Sequence, residues 1–489
     1  MNRLIILIIA TVILTTVSVV QAQSLVHSEQ DLPGLLGGDA AWADHDGDGD
    51  LDLALIGQAV ESDQVVPSAF IFDNQSGLFS ENQSGSNLIG VYRGAVAWAD
   101  YDNDGDNDLV VAGWDAKDEE VLGLYNNDKI QGGFFKDDLQ LDSNGEKVFV
   151  GVRYSSLSWG DVDNDGDLDL VVMGMESGGT SLTALYRNTN GRFALDELNS
   201  ETLVNLHNGS LAWGDYDGDG DIDLAISGDN VVESSISGLN AVSEFYLNGP
   251  GATLELDTAM GDAISLKGGS LAWGDYDGDG NIDLAASGRP FGKFDGSDWT
   301  AKVVLYRNRP TGLLSFDENF TLGASLSAVG DLSWVDFDND GDVDLATSGR
   351  TVLSSYSASV FLNNDGLLNG VSQESELYGL DGGSTDWVDY NGDGRADLLI
   401  SGMSEAGERF TDLYVNQGTA PRNSDPSPPL TLNEPKVTSS GVIFSWSAGS
   451  DSESDILSYN LRVGSDSAGE DIVVSGVENS AGNVGFKIN

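Results

Sequence analysis

A twelve-residue stretch, Trp213-Gly214-Asp215-Tyr216-Asp217-Gly218-Asp219-Gly220-Asp221-Ile222-Asp223-Leu224, recurs seven times with small changes, and no other feature limits the fold so tightly. The first aspartates of the copies are Asp44, Asp100, Asp161, Asp215, Asp275, Asp336 and Asp389, so successive copies lie 53 to 61 residues apart. A period in this range marks a repeat architecture in which each unit buries its apolar face against its neighbours.

Numbered from its first aspartate, each copy places oxygen side chains at positions 1, 3, 5 and 9 and glycine at position 6. A hard cation such as calcium takes six to eight oxygens, and one short loop can supply most of them. In the copy quoted, Asp215, Asp217 and Asp219 would reach inward, Gly220 would allow the sharp turn, Asp221 would add its carbonyl, and Asp223 would close the shell. The spacing matches the start of an EF-hand loop, but it lacks an acidic residue at position 12 and a helical pattern after it. The loop runs instead into Leu224-Ala225-Ile226-Ser227-Gly228, a short apolar run that reads as a strand.

The sequence around each loop reads as four short strands. The first ends at a tryptophan two residues before the loop, namely Trp42, Trp98, Trp159, Trp213, Trp273, Trp334 and Trp387. An aromatic at fixed phase is expected in the core between units. The second strand ends at Gly57, Gly113, Gly174, Gly228, Gly288, Gly349 or Gly402. A variable stretch leads to a third strand ending in an aromatic and an asparagine, as in Leu185-Tyr186-Arg187-Asn188, Leu305-Tyr306-Arg307-Asn308 and Leu413-Tyr414-Val415-Asn416. A fourth strand such as Ala252-Thr253-Leu254-Glu255-Leu256 completes the unit. Short strands bounded by glycine and asparagine turns predict an all-β chain, and seven four-stranded units predict a seven-bladed β-propeller. The seventh unit lacks a fourth strand after Asn416, whereas Ser24-Leu25-Val26-His27-Ser28-Glu29 has the fourth-strand pattern with no unit before it. This segment is expected to complete the last blade and close the ring, removing open edges.

Composition bounds the function. The net charge is −58 over 489 residues, which disfavours nucleic acid and anionic membranes as partners. With no cysteine and three histidines (His27, His45, His207), thiolate chemistry is excluded and a histidine-rich metal centre is not expected. Residues 1–22 read as a signal peptide, with Arg3, an apolar run from Leu4 to Val20, and the small-residue site Val20-Gln21-Ala22. A secreted or cell-surface protein is therefore expected, where calcium is abundant enough for low-affinity sites.

The repeats resemble FG-GAP/VCBS repeats, the family that includes the integrin α-chain propeller, over roughly residues 24–417. The resemblance implies up to seven calcium ions, one in the hairpin loop of every blade. Carried over residue by residue, the ligands are Asp44, Asp46, Asp48, Asp50 and Asp52 in the first loop and Asp100, Asp102, Asp104, Asp106 and Asp108 in the second. The third has Asp161, Asp163, Asp165, Asp167 and Asp169, and the fourth Asp215, Asp217, Asp219, Asp221 and Asp223. The fifth has Asp275, Asp277, Asp279, Asn281 and Asp283, and the sixth Asp336, Asp338, Asp340, Asp342 and Asp344. The seventh departs, with Asp389, Asn391, Asp393, Arg395 and Asp397, and is expected to bind more weakly. So many carboxylates in one small loop repel one another unless a divalent ion lies among them.

The domains expected are a signal peptide at 1–22, the propeller at 23–418, a Pro/Ser/Asn-rich linker at 419–430, and a β-sandwich-like segment at 431–489. That last segment resembles part of a fibronectin type III domain, with strands at Val442-Ile443-Phe444-Ser445-Trp446-Ser447 and Leu457-Ser458-Tyr459-Asn460-Leu461-Arg462-Val463. The loops joining first and second strands must lie on one face of the disc, and the variable stretches on the other. Trp114, Arg289, Phe291, Phe294 and Trp299 fall in those stretches and are candidate ligand-binding residues. No Gly-x-Ser-x-Gly elbow, His-Glu-x-x-His, P-loop or dinucleotide fingerprint is present. The expectation is a non-enzymatic, monomeric, calcium-stabilised adhesion or ligand-binding module, its partner an extracellular protein or polysaccharide. A lectin, or a polysaccharide lyase or hydrolase using the face opposite the loops, is the rival expectation.

Overall fold

The computed structural model describes residues 25–488 except 29, 63, 129–132, 138–139, 142–143, 232–238, 259–264, 291–301, 309–314, 317–329, 351–355, 365, 369, 373–376, 378–381, 405, 419–435, 439–440, 447–457, 464–471 and 479–483. The residues assigned to a signal peptide and to the linker lie outside the described residues.

Seven antiparallel sheets follow one another, the first six with their strands in chain order and the seventh completed from the N-terminal side. Blade 1 comprises Asp39–Ala43, Asp52–Glu61, Gln64–Gln75 and Leu78–Glu81. Blade 4 comprises His207–Gly214, Asp223–Val231, Leu239–Gly249 and Thr253–Leu256. In blade 7, Thr385–Val388, Asp397–Met403 and Arg409–Asn416 are completed by Leu25–His27, which pairs with the third strand in the register Leu25↔Asn416, Val26↔Val415 and His27↔Tyr414. The ring thus closes through the start of the described chain. Its first strands touch in sequence around the axis, the one in blade 7 meeting the one in blade 1.

The second strands are buried along their length. Asp108–Trp114 and Asp169–Met175 have six consecutive buried residues each, because both faces of the strand meet a neighbouring blade. This is why these segments read as continuous apolar runs rather than as alternating ones. Seven hydrophobic clusters result, one at each blade interface. The repeated tryptophans sit in these clusters as expected. Trp273 stacks on Tyr216 of the preceding blade at 5.6 Å and 10°, and its Nε1 donates to the carbonyl of Ala212 at 3.2 Å. A Cβ on Gly214 would stand 3.0 Å from the Trp273 ring, so the residue after Trp213 must be small there.

Two short helical segments, Gln83–Asn87 and Glu197–Thr202, interrupt the strands and carry no mark in the sequence pattern. The latter is capped by Asp196, whose side chain accepts from the Asn199 N–H at 3.0 Å. Among the described residues no helix is long and apolar enough to cross a membrane. Beyond the propeller, Lys436–Thr438, Gly441–Trp446 and Val484–Ile488 form one small sheet, and Ser458–Val463 pairs with Ile472–Glu478.

Candidate functional site

Each aspartate loop is a compact turn held by its own side chains. In the fourth, Asp215 accepts from the N–H groups of Gly218 at 2.8 Å and Gly220 at 3.0 Å, Asp217 from Asp219 at 3.1 Å, and Asp219 from Asp221 at 3.0 Å. Gly220 has φ +97°, a value glycine adopts without penalty. Position 4 is left-handed as well and is glycine or asparagine, for instance Gly218 at +76° and Asn164 at +57°. The turn therefore points its carboxylates inward. One oxygen each from Asp100, Asp102 and Asp108 lies within 4.8 Å of the others, and the same holds for Asp161, Asp163 and Asp165, and for Asp215, Asp217 and Asp223.

The last aspartate of each loop has a second task. Asp223 is fully buried; its Oδ1 accepts the Asn248 N–H at 2.8 Å and its Oδ2 the Tyr216 N–H at 3.1 Å. Asn248 in turn donates its Nδ2 hydrogen to the carbonyl of Val162, at position 2 of the preceding loop, at 2.8 Å. All seven blades repeat the link: Asn74 to Tyr390, Asn127 to His45, Asn188 to Tyr101, Asn308 to Tyr216, Asn363 to Tyr276 and Asn416 to Phe337. The asparagines are visible in the sequence as a signature, but their role as clasps between loops is not. Their fixed phase after an aromatic is the available signal.

Burial drives the last aspartates upward from the ordinary carboxylate range, against the pull of the asparagine N–H. The pKa reaches about 9 for Asp108, about 8 for Asp344, about 7 for Asp169, Asp223, Asp283 and Asp397, and about 6 for Asp52. Neighbouring loop carboxylates push in the same direction for all seven. At position 3, Asp102 Oδ1, Asp277 Oδ1 and Asp338 Oδ1 are buried with no hydrogen-bond partner. Orphaned carboxylate oxygens of this kind are costly unless a cation meets them, so the donor set fits an oxygen-seeking divalent ion.

The seven loops are not equivalent. In blades 1, 2, 3 and 5 the residue before the clasp asparagine reaches the loop, and its identity varies. Arg187 places Nη1 2.8 Å from Asp169 Oδ2 and is fixed by Asp196 at 3.0 Å and the carbonyl of Ala252 at 2.8 Å. Arg307 pairs with Asp277. In blade 2, Asn126 donates to Asp102 at 2.7 Å. In blade 1, Asp73 adds a further carboxylate beside the buried His45, 2.9 Å from its Nε2. The seventh loop holds its own guanidinium: Arg395 Nη2 lies 2.7 Å from Asp393 Oδ2, and Asn391 turns its Nδ2 to Asp397 at 2.9 Å. At Asn281 the amide donates to Asp279 at 2.7 Å.

Of the candidate ligand-binding residues, Trp114 ends a strand rather than standing in a loop, and stacks on Tyr92 at 5.6 Å. Phe291, Phe294, Trp299 and the Arg289 side chain lie outside the described residues. Around Trp114, however, sit Arg93, Arg153 and Tyr154, none of which the sequence pattern singles out. A third group lines the axis: Asp331, Asp386 and Asp39 stand on the first strands of blades 6, 7 and 1 or next to them. Burial raises all three, Asp39 to about 7; repulsion by Asp331 adds to it at Asp39, and repulsion by Asp39 and Asp331 adds to it at Asp386. Asp331 Oδ2 accepts the Thr385 N–H at 2.9 Å, Asp39 Oδ2 the Val96 N–H at 3.1 Å, and Asp386 accepts from Ser384 Oγ at 2.5 Å.

Residues 161–226, from the third loop into the second strand of blade 4, match the FG-GAP-like repeat family. No curated protein matches the chain. Among solved structures, an Aleuria aurantia lectin variant in complex with alpha-methyl-L-fucoside is 10% identical with a TM-score of 0.37, covering 70% of this chain and 97% of its own. AofleA from Arthrobotrys oligospora is 12% identical with a TM-score of 0.35, covering 68% and 84%. A thermostable family-43 glycoside hydrolase is 10% identical with a TM-score of 0.30, covering 60% and 96%. At such scores the likeness says nothing of ligand or reaction.

Proposed function

We propose that the chain is an exported, calcium-held propeller of FG-GAP-like repeats that works as an adhesion or ligand-binding module, with the metal structural. The observation that carries the metal is the buried Asp102 Oδ1, without a hydrogen-bond partner in a loop where Asp100 and Asp108 converge on the same space, with Asp338 Oδ1 likewise orphaned in the sixth loop. Calcium would be held by positions 1, 3, 5 and 9 of each loop, and it would supply the positive charge that lets those carboxylates stay ionised together. The chain does the rest. The first aspartate fixes the turn through backbone N–H groups, and the last one ties the loop to its own third strand. The asparagine beside it ties that strand to the neighbouring loop.

A binding role fits this division of labour, since the loop face is occupied by holding the ring. The face opposite carries Arg93 and Arg153 beside Tyr92, Trp114 and Tyr154. The small sheets beyond residue 435 fit a fibronectin-like accessory segment, and the N-terminal apolar run fits export. The test is thermal unfolding in millimolar calcium and in excess chelator. Metal bound only by the folded state raises the melting temperature with concentration. Identical melting curves in the two conditions would sink the reading.

A further inference from the structure

At the mouth of the axis on the face away from the loops, the chain turns into the first strands of blades 1 to 5 and 7 through a left-handed residue. It is glycine in blades 1, 5 and 7 (Gly37, Gly268, Gly382), but Arg93, Tyr154 and Asn208 in blades 2, 3 and 4, with φ +50°, +50° and +53°. Arginine and tyrosine disfavour this region by about 1–2 kcal/mol, so three adjacent blades hold bulky or polar side chains where glycine would be easier. Two of those side chains interlock. Arg93 Nη1 donates to Tyr154 Oη at 2.6 Å, with the guanidinium carbon 4.9 Å from the Tyr154 ring centre, 5.6 Å from that of Tyr92 and 5.9 Å from that of Trp114.

The charge of this group is specific. The chain has 80 acidic residues to 22 basic ones, and Arg153, Arg187, Arg307 and Arg395 each pair with a carboxylate. Arg93 is exposed, and among the described residues no carboxylate lies within ion-pairing distance of it. Arg153, 4.5 Å from the Trp114 ring centre, is already neutralised by Glu120. That guanidinium fork is open to one carboxylate among the described residues, beside the rings of Tyr92 and Tyr154, while Trp114 is already covered by Tyr92 and Arg153. Asn208, one blade further on, is already turned away, its Nδ2 donating to Asp229 at 3.1 Å.

We infer that Arg93, Tyr154 and Tyr92 form a binding site for a sugar that carries a single carboxylate, a uronic-acid unit. This deepens the binding-module reading and rests on it. The guanidinium takes the carboxylate, and the rings of Tyr92 and Tyr154 take the apolar C–H face of the pyranose ring. A polyanion is disfavoured by the net charge of −58, so the unit bound is a chain end or an isolated residue. A peptide carboxylate would use the fork but leave the ring faces uncovered.

The experiment is titration calorimetry of the full chain in calcium with glucuronic acid, galacturonic acid, glucose, galactose and acetylglycine. A uronic acid should bind saturably and at least tenfold more tightly than its neutral counterpart and than acetylglycine. R93G should lose at least tenfold in that affinity while melting no lower than the wild type, since glycine accepts the left-handed backbone; R93K should fall between. The inference is overturned by absent uronate binding, by unchanged affinity in R93G, or by acetylglycine binding as well as the sugar acid. Calcium that fails to raise the melting temperature overturns the metal reading alone, and a calcium-stabilised chain that ignores uronates overturns this site alone.

Discussion

Asn74 donates its Nδ2 hydrogen to the carbonyl oxygen of Tyr390 at 2.8 Å, across 316 residues of chain. It joins the third strand of blade 1 to the loop of blade 7, and the same bond recurs at every other interface.

Removing one such clasp leaves a buried carbonyl without its partner. Asn188 is 1% exposed and bonds Tyr101 at 2.7 Å. Asn188→Ala should therefore cost about 1–3 kcal/mol, read as a lower urea midpoint at constant slope. An unchanged midpoint would make the clasp decorative.

The arginines that lean on the loops should compete with metal. Arg307 is partly exposed and meets Asp277, so it can be removed with little loss of packing. Arg307→Leu should increase calcium affinity at the fifth loop, seen calorimetrically as an added or tightened binding step. The wild type should show fewer than seven tight sites, with the third, fifth and seventh loops the weak ones. Seven equal sites would contradict this.

Closure of the ring depends on a three-residue strand. Leu25 is 2% exposed and packs with Phe337 and Tyr414 between blades 6 and 7. Leu25→Ala should cost about 2–5 kcal/mol and expose the edge of Arg409–Asn416 to proteolysis. Wild-type stability in that variant would mean the strand merely rests on blade 7.

The axial carboxylates set a pH dependence. Burial lifts Asp39 from 3.8 to about 7, so the folded state holds its proton more tightly than the unfolded chain does. Its contribution is most favourable below about pH 4 and is lost as pH rises through about 7. Asp39→Asn should raise the melting temperature at pH 8 relative to wild type, with the gain shrinking toward pH 5, all in saturating calcium. A lower melting temperature for the variant at pH 8 would refute the assignment.

The blades, the tryptophan interfaces and the strand supplied from the N-terminal side are legible in the sequence because each leaves a local mark: a short apolar run, a turn glycine, or an aromatic at fixed phase. The aspartate positions are legible for the same reason. What Asn188 grips is not, since Tyr101 lies in another repeat and only the ring geometry brings the two together. Arg187 and Arg93 look alike as letters, yet one is held by Asp169 and Asp196 while the guanidinium of the other, among the described residues, meets aromatic faces and a tyrosine hydroxyl. Burial and neighbours separate them, and neither is written locally.

The closed order of first strands, with blade 7 against blade 1, has a consequence for how the molecule can change. A linear stack frays from its ends, shedding or gaining one repeat at the expense of a single junction. Here no blade is terminal, and freeing any one of them opens two junctions at once. Losing a repeat would force every remaining wedge to a wider angle, so the number seven behaves as a single quantised property of the whole circle.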